Sequence, residues 1–202
     1  MTEQRRASVE RTTAETAVAL ELTVDGTGHA SVETGIGALD HFLTLFARHG
    51  RFDLTVRARG DLHVDAHHTV EDVAICLGQA LRRALGDWRG VRRMGDAAVP
   101  MDEALAHIAI DLSGRGIFIH RDPFPAGAVG QLECDLVRHF LETLAREAHI
   151  TIHLVKLYGQ NAHHQIEAVF KALARALDLA TELDPRIAGQ VPSTKEHLEI
   201  ES

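Results

Sequence analysis

The sequence predicts an α+β fold made by tandem duplication, with helices packed against mostly antiparallel sheets. Three observations predict it. The segment Asp40-His41-Phe42-Leu43-Thr44-Leu45-Phe46-Ala47-Arg48 is echoed by Arg138-His139-Phe140-Leu141-Glu142-Thr143-Leu144-Ala145-Arg146. Each is followed by an alternating apolar stretch, residues 52–56 and 150–154, with the period of two that marks a half-buried strand. Each strand leads through a polar loop containing Gly60 or Gly159 to a His-His-x-x-Glu motif that opens an Ala/Leu-rich amphipathic helix. The interval from His41 to His139 exceeds that from His67 to His163 by only two residues, so one loop absorbs the difference. Self-similarity at a fixed spacing is the signature of a repeat.

In order along the chain, residues 17–24 alternate and read as a strand. Asp25-Gly26-Thr27-Gly28 is a turn, and residues 29–34 read as the strand after it, together a hairpin. The turn lacks the lysine and following helix of a phosphate loop. The first helix holds His41, the next strand is residues 52–56, and the second helix runs from the first His-His pair to about Leu85. Residues 88–101 join the halves. The second half repeats the pattern with a strand at 105–111, a Ser113-Gly114 turn, a strand at 117–120, the helix with His139, the strand at 150–154 and a helix to about Leu179. We expect one domain of two repeats, about residues 6–92 and 93–184, with an irregular tail at 185–202.

Bulk composition narrows the function. The chain has 202 residues, 45% of them hydrophobic but only 4% aromatic, so Ala, Leu, Val and Ile must build the core. A net charge of −8 is the wrong sign for a nucleic-acid binder, although a few basic residues can still gather around one phosphate. No stretch approaches a membrane span, and the polar N-terminus lacks the apolar segment of a signal peptide. Cys76 and Cys134 are the two cysteines, and without a Cys-x-x-Cys pair they read as buried thiols of a cytoplasmic protein.

The chain carries 14 histidines, and their pattern points to metal. Residues at i, i+3 and i+4 share a helix face. Glu71 follows His68 by three and His67 by four, as Glu167 follows His164 and His163. Adjacent histidines diverge by about 100° on a helix, so one of each pair should chelate with the glutamate while the other turns toward a second ion. His41 and His139 are the repeat-equivalent extra ligands. The set is then His41, His67, His68, Glu71, His139, His163, His164 and Glu167, or three imidazoles and one carboxylate for each of two ions drawing on both halves or on neighbouring subunits. Such donors suit Mn, Fe, Zn, Co or Ni. His29, His49, His63, His107, His120, His149, His153 and His197 lack the pattern and read as surface or structural. Asp72 follows Glu71 where the other half has Ala168, so it reads as outside the ligand set.

Six motifs in order resemble the imidazoleglycerol-phosphate dehydratase family. They are Leu39-Asp40-His41-Phe42-Leu43, His67-His68-Thr69-Val70-Glu71-Asp72, Met101-Asp102-Glu103-Ala104-Leu105, Asp111-Leu112-Ser113-Gly114-Arg115, His163-His164-Gln165-Ile166-Glu167-Ala168 and Ser193-Thr194-Lys195. The resemblance spans about Arg6 to Lys195. It implies duplicated halves like the second domain of ribosomal protein S5, with helices between two four-stranded mostly antiparallel sheets. It also implies two Mn2+ per active site, and trimers assembling into a 24-subunit homo-oligomer with sites between subunits. Substrate contacts are implied for Glu15, Arg93, Arg115, Lys171, Ser193 and Lys195, most of them serving a phosphate. The implied activity is a hydro-lyase of histidine biosynthesis, dehydrating imidazole glycerol phosphate to imidazole acetol phosphate.

Cations on both ring nitrogens would strip the ring proton, by the logic that acidifies metal-bound water. In the reaction that the resemblance implies, such an imidazolate would expel the adjacent hydroxyl, a base would take the neighbouring proton, and the enol would tautomerise to the ketone. Glu15, Glu167, Asp102 and Glu103 are the acid/base candidates, with Glu15 and Glu167 favoured. Two rivals are weighed against this. A two-metal phosphoesterase would also use paired ions but commonly leans on Asp ligands; a metal buffer or metal-stabilised assembly protein leaves Arg93, Arg115 and Lys195 unexplained.

Overall fold

Burial alternates strictly along Thr16–Thr23 and Ala104–Asp111, so each has one apolar face to cover. In the computed structural model, which describes residues 4–194, these strands lie inside two four-stranded sheets. The first contains β1 (Arg6–Thr12), β2 (Thr16–Thr23), β3 (Ala30–Glu33) and β4 (Asp53–Gly60) in the order β1-β2-β4-β3. The second contains β5 (Met94–Met101), β6 (Ala104–Asp111), β7 (Ile117–His120) and β10 (Thr151–Tyr158) in the order β5-β6-β10-β7. A small hairpin, β8 (Ala128–Val129) and β9 (Leu132–Glu133), stands apart. Each large sheet has two antiparallel pairings and one parallel pairing, β3 with β4 and β7 with β10.

Four helices fill the space between the sheets: α1 (Gly37–Gly50), α2 (His67–Leu85), α3 (Cys134–Ala148) and α4 (Ala162–Thr181). Helices α1 and α2 cover the first sheet and α3 and α4 the second, while α1 meets α4 and α2 meets α3 across the middle. The layers are thus sheet, helices, helices, sheet, the expected arrangement. Phe42, Phe140 and Phe170 meet at the centre, with Phe42 stacked on Phe170 at 5.3 Å and Phe140 5.6 Å from it. They join α1, α3 and α4 in one core, and each such pair is worth about 1 kcal/mol beyond area burial. Gly95 lets α4 sit close to β5: a Cβ there would lie 2.3 Å from the Ala176 carbonyl oxygen. Both cysteines are buried and unpaired. Among the described residues no helix is long and apolar enough to cross a membrane.

Two expectations are corrected. The turn at residues 25–28 does not close a hairpin, because β4 lies between β2 and β3. Asp53 of β4 accepts the backbone N–H groups of Thr27 and His29, and Gly26 passes so near that a Cβ would sit 2.4 Å from the Asp53 nitrogen. The turn is therefore wrapped over the end of β4. Residues 6–12, in the polar N-terminal segment, and residues 94–101, expected to join the halves, are strands. Each is an edge strand against its neighbour, and in β1 only Val9 is buried.

Asp72 joins a helix to a sheet. It is 6% exposed, takes a 2.7 Å ion pair from Arg11 Nε of β1, and accepts the Thr16 hydroxyl of β2. We predict that Asp72→Asn destabilises the fold by about 2 kcal/mol, read as a lower urea midpoint, because it weakens this partly buried pair. Metal content should not change; a shift in metal stoichiometry would place Asp72 in the metal site instead.

Candidate metal centre

Both His-His-x-x-Glu motifs start helices, and a side chain two residues before each pair fixes the start. Asp65 accepts the His67 backbone N–H at 2.7 Å, and Asn161 accepts those of His163 and His164 at 2.9 and 3.3 Å. The two rings of each pair are then nearly perpendicular, 84° for His67 and His68 and 88° for His163 and His164. The first histidine of each pair turns inward over its glutamate, and the second turns away.

On α4, His163 Nε2 and His41 Nε2 from α1 approach the same carboxylate oxygen of Glu167, at 3.2 and 3.3 Å. On α2, Glu71 Oε1 lies 3.3 Å from His139 Nε2 of α3, and the His67 ring stacks on that of His139 at 4.8 Å. Within each of these triads the ligand atoms lie within 4.8 Å of one another, and each triad joins an α-helix of one half to one of the other. The His139 Nε2 atom is buried and makes no hydrogen bond, despite its closeness to Glu71. Proximity without hydrogen-bond alignment is what two donors aimed at a common ion would show. The donor chemistry fits a divalent transition metal.

Burial would push the Glu167 carboxyl up, but hydrogen bonds from Lys171, His41 and His163 hold it below the ordinary carboxylate range. Lys171 Nζ sits 2.5 Å from Oε1 of Glu167. The outward histidines have their own carboxylates. His68 Nδ1 is 3.1 Å from Asp61 and 3.7 Å from Glu15; His164 Nδ1 is 2.6 Å from Glu103, and its Nε2 is 3.7 Å from Asp102. Those bonds raise both imidazoles, His68 chiefly through Asp61 and His164 chiefly through Glu103. Glu103 also accepts the backbone N–H groups of Asn161 and Gln160, which with His164 take it down to about 2. Glu15 and the pair Asp102 and Glu103 thus occupy matching turns, β1 to β2 and β5 to β6. Asp61 went unnoticed in the sequence; its loop has no periodicity to mark it.

Lys171 apart, the described basic residues of the predicted set collect elsewhere. Arg93 binds Asp111 at 2.7 Å and the Pro192 carbonyl at 2.8 Å, next to Ser193, and Arg115 is 3.9 Å from Asp111. The Arg93 backbone N–H donates to Ala180 near the end of α4, about 25 Å along the helix axis from His163. Lys195 lies outside the described residues. Among the described residues one chain therefore brings together the two repeat-related triads, a third group of Glu15, Asp61 and His68 whose ligand atoms also lie within 4.8 Å of one another and, separately, a basic group.

The comparisons with known proteins agree on one family. The family model described as imidazoleglycerol-phosphate dehydratase matches residues 34–177. The imidazoleglycerol-phosphate dehydratase of Chloroflexus aggregans is 57% identical over 195 residues, covering 96% of this chain and 95% of that protein. Its namesake from Geobacillus kaustophilus is 56% identical over 191 residues, covering 95% and 97%. The crystal structure of the Staphylococcus aureus dehydratase superposes with a TM-score of 0.80 at 34% identity, covering 89% of this chain and 99% of that one. The structure of the dehydratase from Pyrococcus furiosus, solved in complex with (S)-C348, gives 0.81 at 36% identity, covering 94% and 100%.

We predict that the metal-stripped protein takes up two divalent transition ions per chain, measured by elemental analysis after gel filtration. His163→Ala and His67→Ala should each bring that number down to one or below. Full metal content in either variant would contradict the triads.

Proposed function

The chain belongs to the imidazoleglycerol-phosphate dehydratase family, dehydratases of histidine biosynthesis, and on that premise we propose that it is a di-metal hydro-lyase converting imidazole glycerol phosphate to imidazole acetol phosphate. The observation that carries the metal reading is the pair of repeat-related triads, each with two imidazoles and one carboxylate converging on one point. We assign the ions as Mn2+, one to each triad. Bound there, they would supply the charge that turns the substrate's imidazole into an imidazolate able to expel the neighbouring hydroxyl.

The chain's own groups have distinct tasks in this reading. His41, His163 and Glu167 hold one ion, and His67, Glu71 and His139 the other. His68 and His164 point away from their own triads, so they complete the ion sites of neighbouring copies. Arg93, Arg115, Ser193 and Lys195 bind the phosphate, with Lys171 beside the Glu167 triad. A basic group about 25 Å along α4 from His163 serves the same substrate only if copies of the chain come together. That supports active sites between subunits of a homo-oligomer; trimers assembling into a 24-mer are what the family resemblance adds.

The outer faces of the two sheets support assembly independently. Along the first sheet Ser8, Glu10, Glu21, Ser31, Glu33, Thr55 and Arg57 face outward. The second presents Met94, Ile117, Ile119 and Leu157, from 41% to 61% exposed, beside Asp96, His107 and His153. Four exposed large apolar side chains on one sheet face favour a surface that another copy covers. We place the enzyme in the cytoplasm, where two buried thiols remain reduced, and we read residues about 6–92 and 93–184 as the two repeats of one domain.

Glu15 is our choice for the group that moves the substrate proton. It stands in an exposed turn 3.7 Å from His68, whereas Glu103 is held near 2 by backbone donors and Glu167 is engaged by Lys171 and two histidines. Asp102 approaches His164 in the matching turn. We predict that Glu15→Gln lowers kcat by about 10²- to 10⁴-fold with metal content unchanged, in an assay for the keto product. Near-normal turnover by this variant would remove Glu15 from the mechanism. Release of inorganic phosphate in place of the keto product would favour a phosphoesterase.

A further inference from the structure

The two triads are copies of one repeat, yet one position sets them apart. Lys171 follows Glu167 by four residues, and in the same register Ile75 follows Glu71. Both positions face their glutamate on the helix. We infer that the two ion sites bind with unequal strength, the one built on Glu167 being the weaker because Lys171 is part of it. This inference rests on the metal reading above.

Three features carry it. Lys171 Nζ lies 2.5 Å from Glu167 Oε1, with side-chain exposures of 15% and 9%, so solvent screens the pair poorly. The lysine occupies one carboxylate oxygen, leaving Oε2 to face His41 and His163. It also sets a fixed positive charge beside the point where a dication must sit. Glu71 has neither burden. Its ion-pair neighbour is His139, and among the described residues no lysine or arginine lies within ion-pair distance of it. Neither of its oxygens is held by a lysine among the described residues.

The size of the effect follows from Coulomb's law. A unit charge and a dication about 5 Å apart repel enough, even at the dielectric of bulk water, to weaken binding on the order of tenfold, and a drier site increases the penalty. The ion at the Glu71 triad therefore loads first and leaves last. Scarce metal produces a half-loaded chain with the Glu167 triad empty.

The test is a titration of the metal-stripped, full-length protein with Mn2+, following free Mn2+ by electron paramagnetic resonance. Two classes of site differing by about tenfold or more are expected. His163→Ala should abolish the weaker class and His67→Ala the stronger. Lys171→Ile, which copies the other repeat, should tighten the weaker class toward the stronger, and Ile75→Lys should weaken the stronger class. Lys171→Met serves as a second variant if the isoleucine disturbs folding, judged by circular dichroism. Two classes of equal strength in the natural protein overturn the inference while leaving the metal reading intact. So does a weaker class that neither Lys171 variant shifts. Absence of Mn2+ binding altogether overturns the metal reading itself.

Discussion

The i to i+4 spacing of one helical turn is the constraint on which the rest of the molecule depends. It sets His67 over Glu71 and His163 over Glu167, and leaves the adjacent histidine facing another way. A two-ligand pair on one helix does not hold an ion firmly in water. The third ligand comes from a neighbouring helix, His139 from α3 onto α2 and His41 from α1 onto α4. This crossing of halves demands that α1 meet α4 and α2 meet α3; Phe42 stacked on Phe170 serves the first contact, and Gly78, where a Cβ would lie 2.6 Å from Glu147 Cβ, lets α2 approach α3 in the second. Core and site are two consequences of one helix arrangement.

Much of this was legible in the sequence because it is local or periodic. The helices with His67 and His163, the inner strands and the duplication all follow from spacings within a short window. The divergence of adjacent histidines followed from helix geometry alone. What escaped depended on distant pairing. Edge strands Arg6–Thr12 and Met94–Met101 bury little of their own surface, so their apolar signal is faint. The turn at residues 25–28 looks like a hairpin until Asp53, far along the chain, takes its N–H groups. Asp61 and Asp111 acquire partners only through folding. Arg93, Arg115 and Ser193 gained meaning from family resemblance and from the tail's return to β5 and β6, not from any pattern of their own.

Duplication followed by divergence explains where the two halves now differ. What both retain is the ligand spacing and a polar side chain two residues ahead that accepts a backbone N–H of the pair, Asp65 and Asn161. They have parted where each half faces something different. One sheet turns a mostly polar face outward, while the other mixes exposed Met94, Ile117, Ile119 and Leu157 with Asp96, His107 and His153. One glutamate lies beside isoleucine and the other beside lysine. The carboxylates near His68 come from Glu15 and Asp61, while those near His164 come from Asp102 and Glu103. An asymmetric substrate, with a ring at one end and a phosphate at the other, gives a reason for a twofold scaffold to lose its symmetry at such positions.

The most direct measurement of the central claim is X-ray diffraction at the manganese absorption edge from crystals of the metal-loaded protein. Two anomalous peaks are expected for each chain, one bounded by His41, His163 and Glu167 and the other by His67, Glu71 and His139. Peaks away from these side chains, or none at full metal loading, would contradict the account.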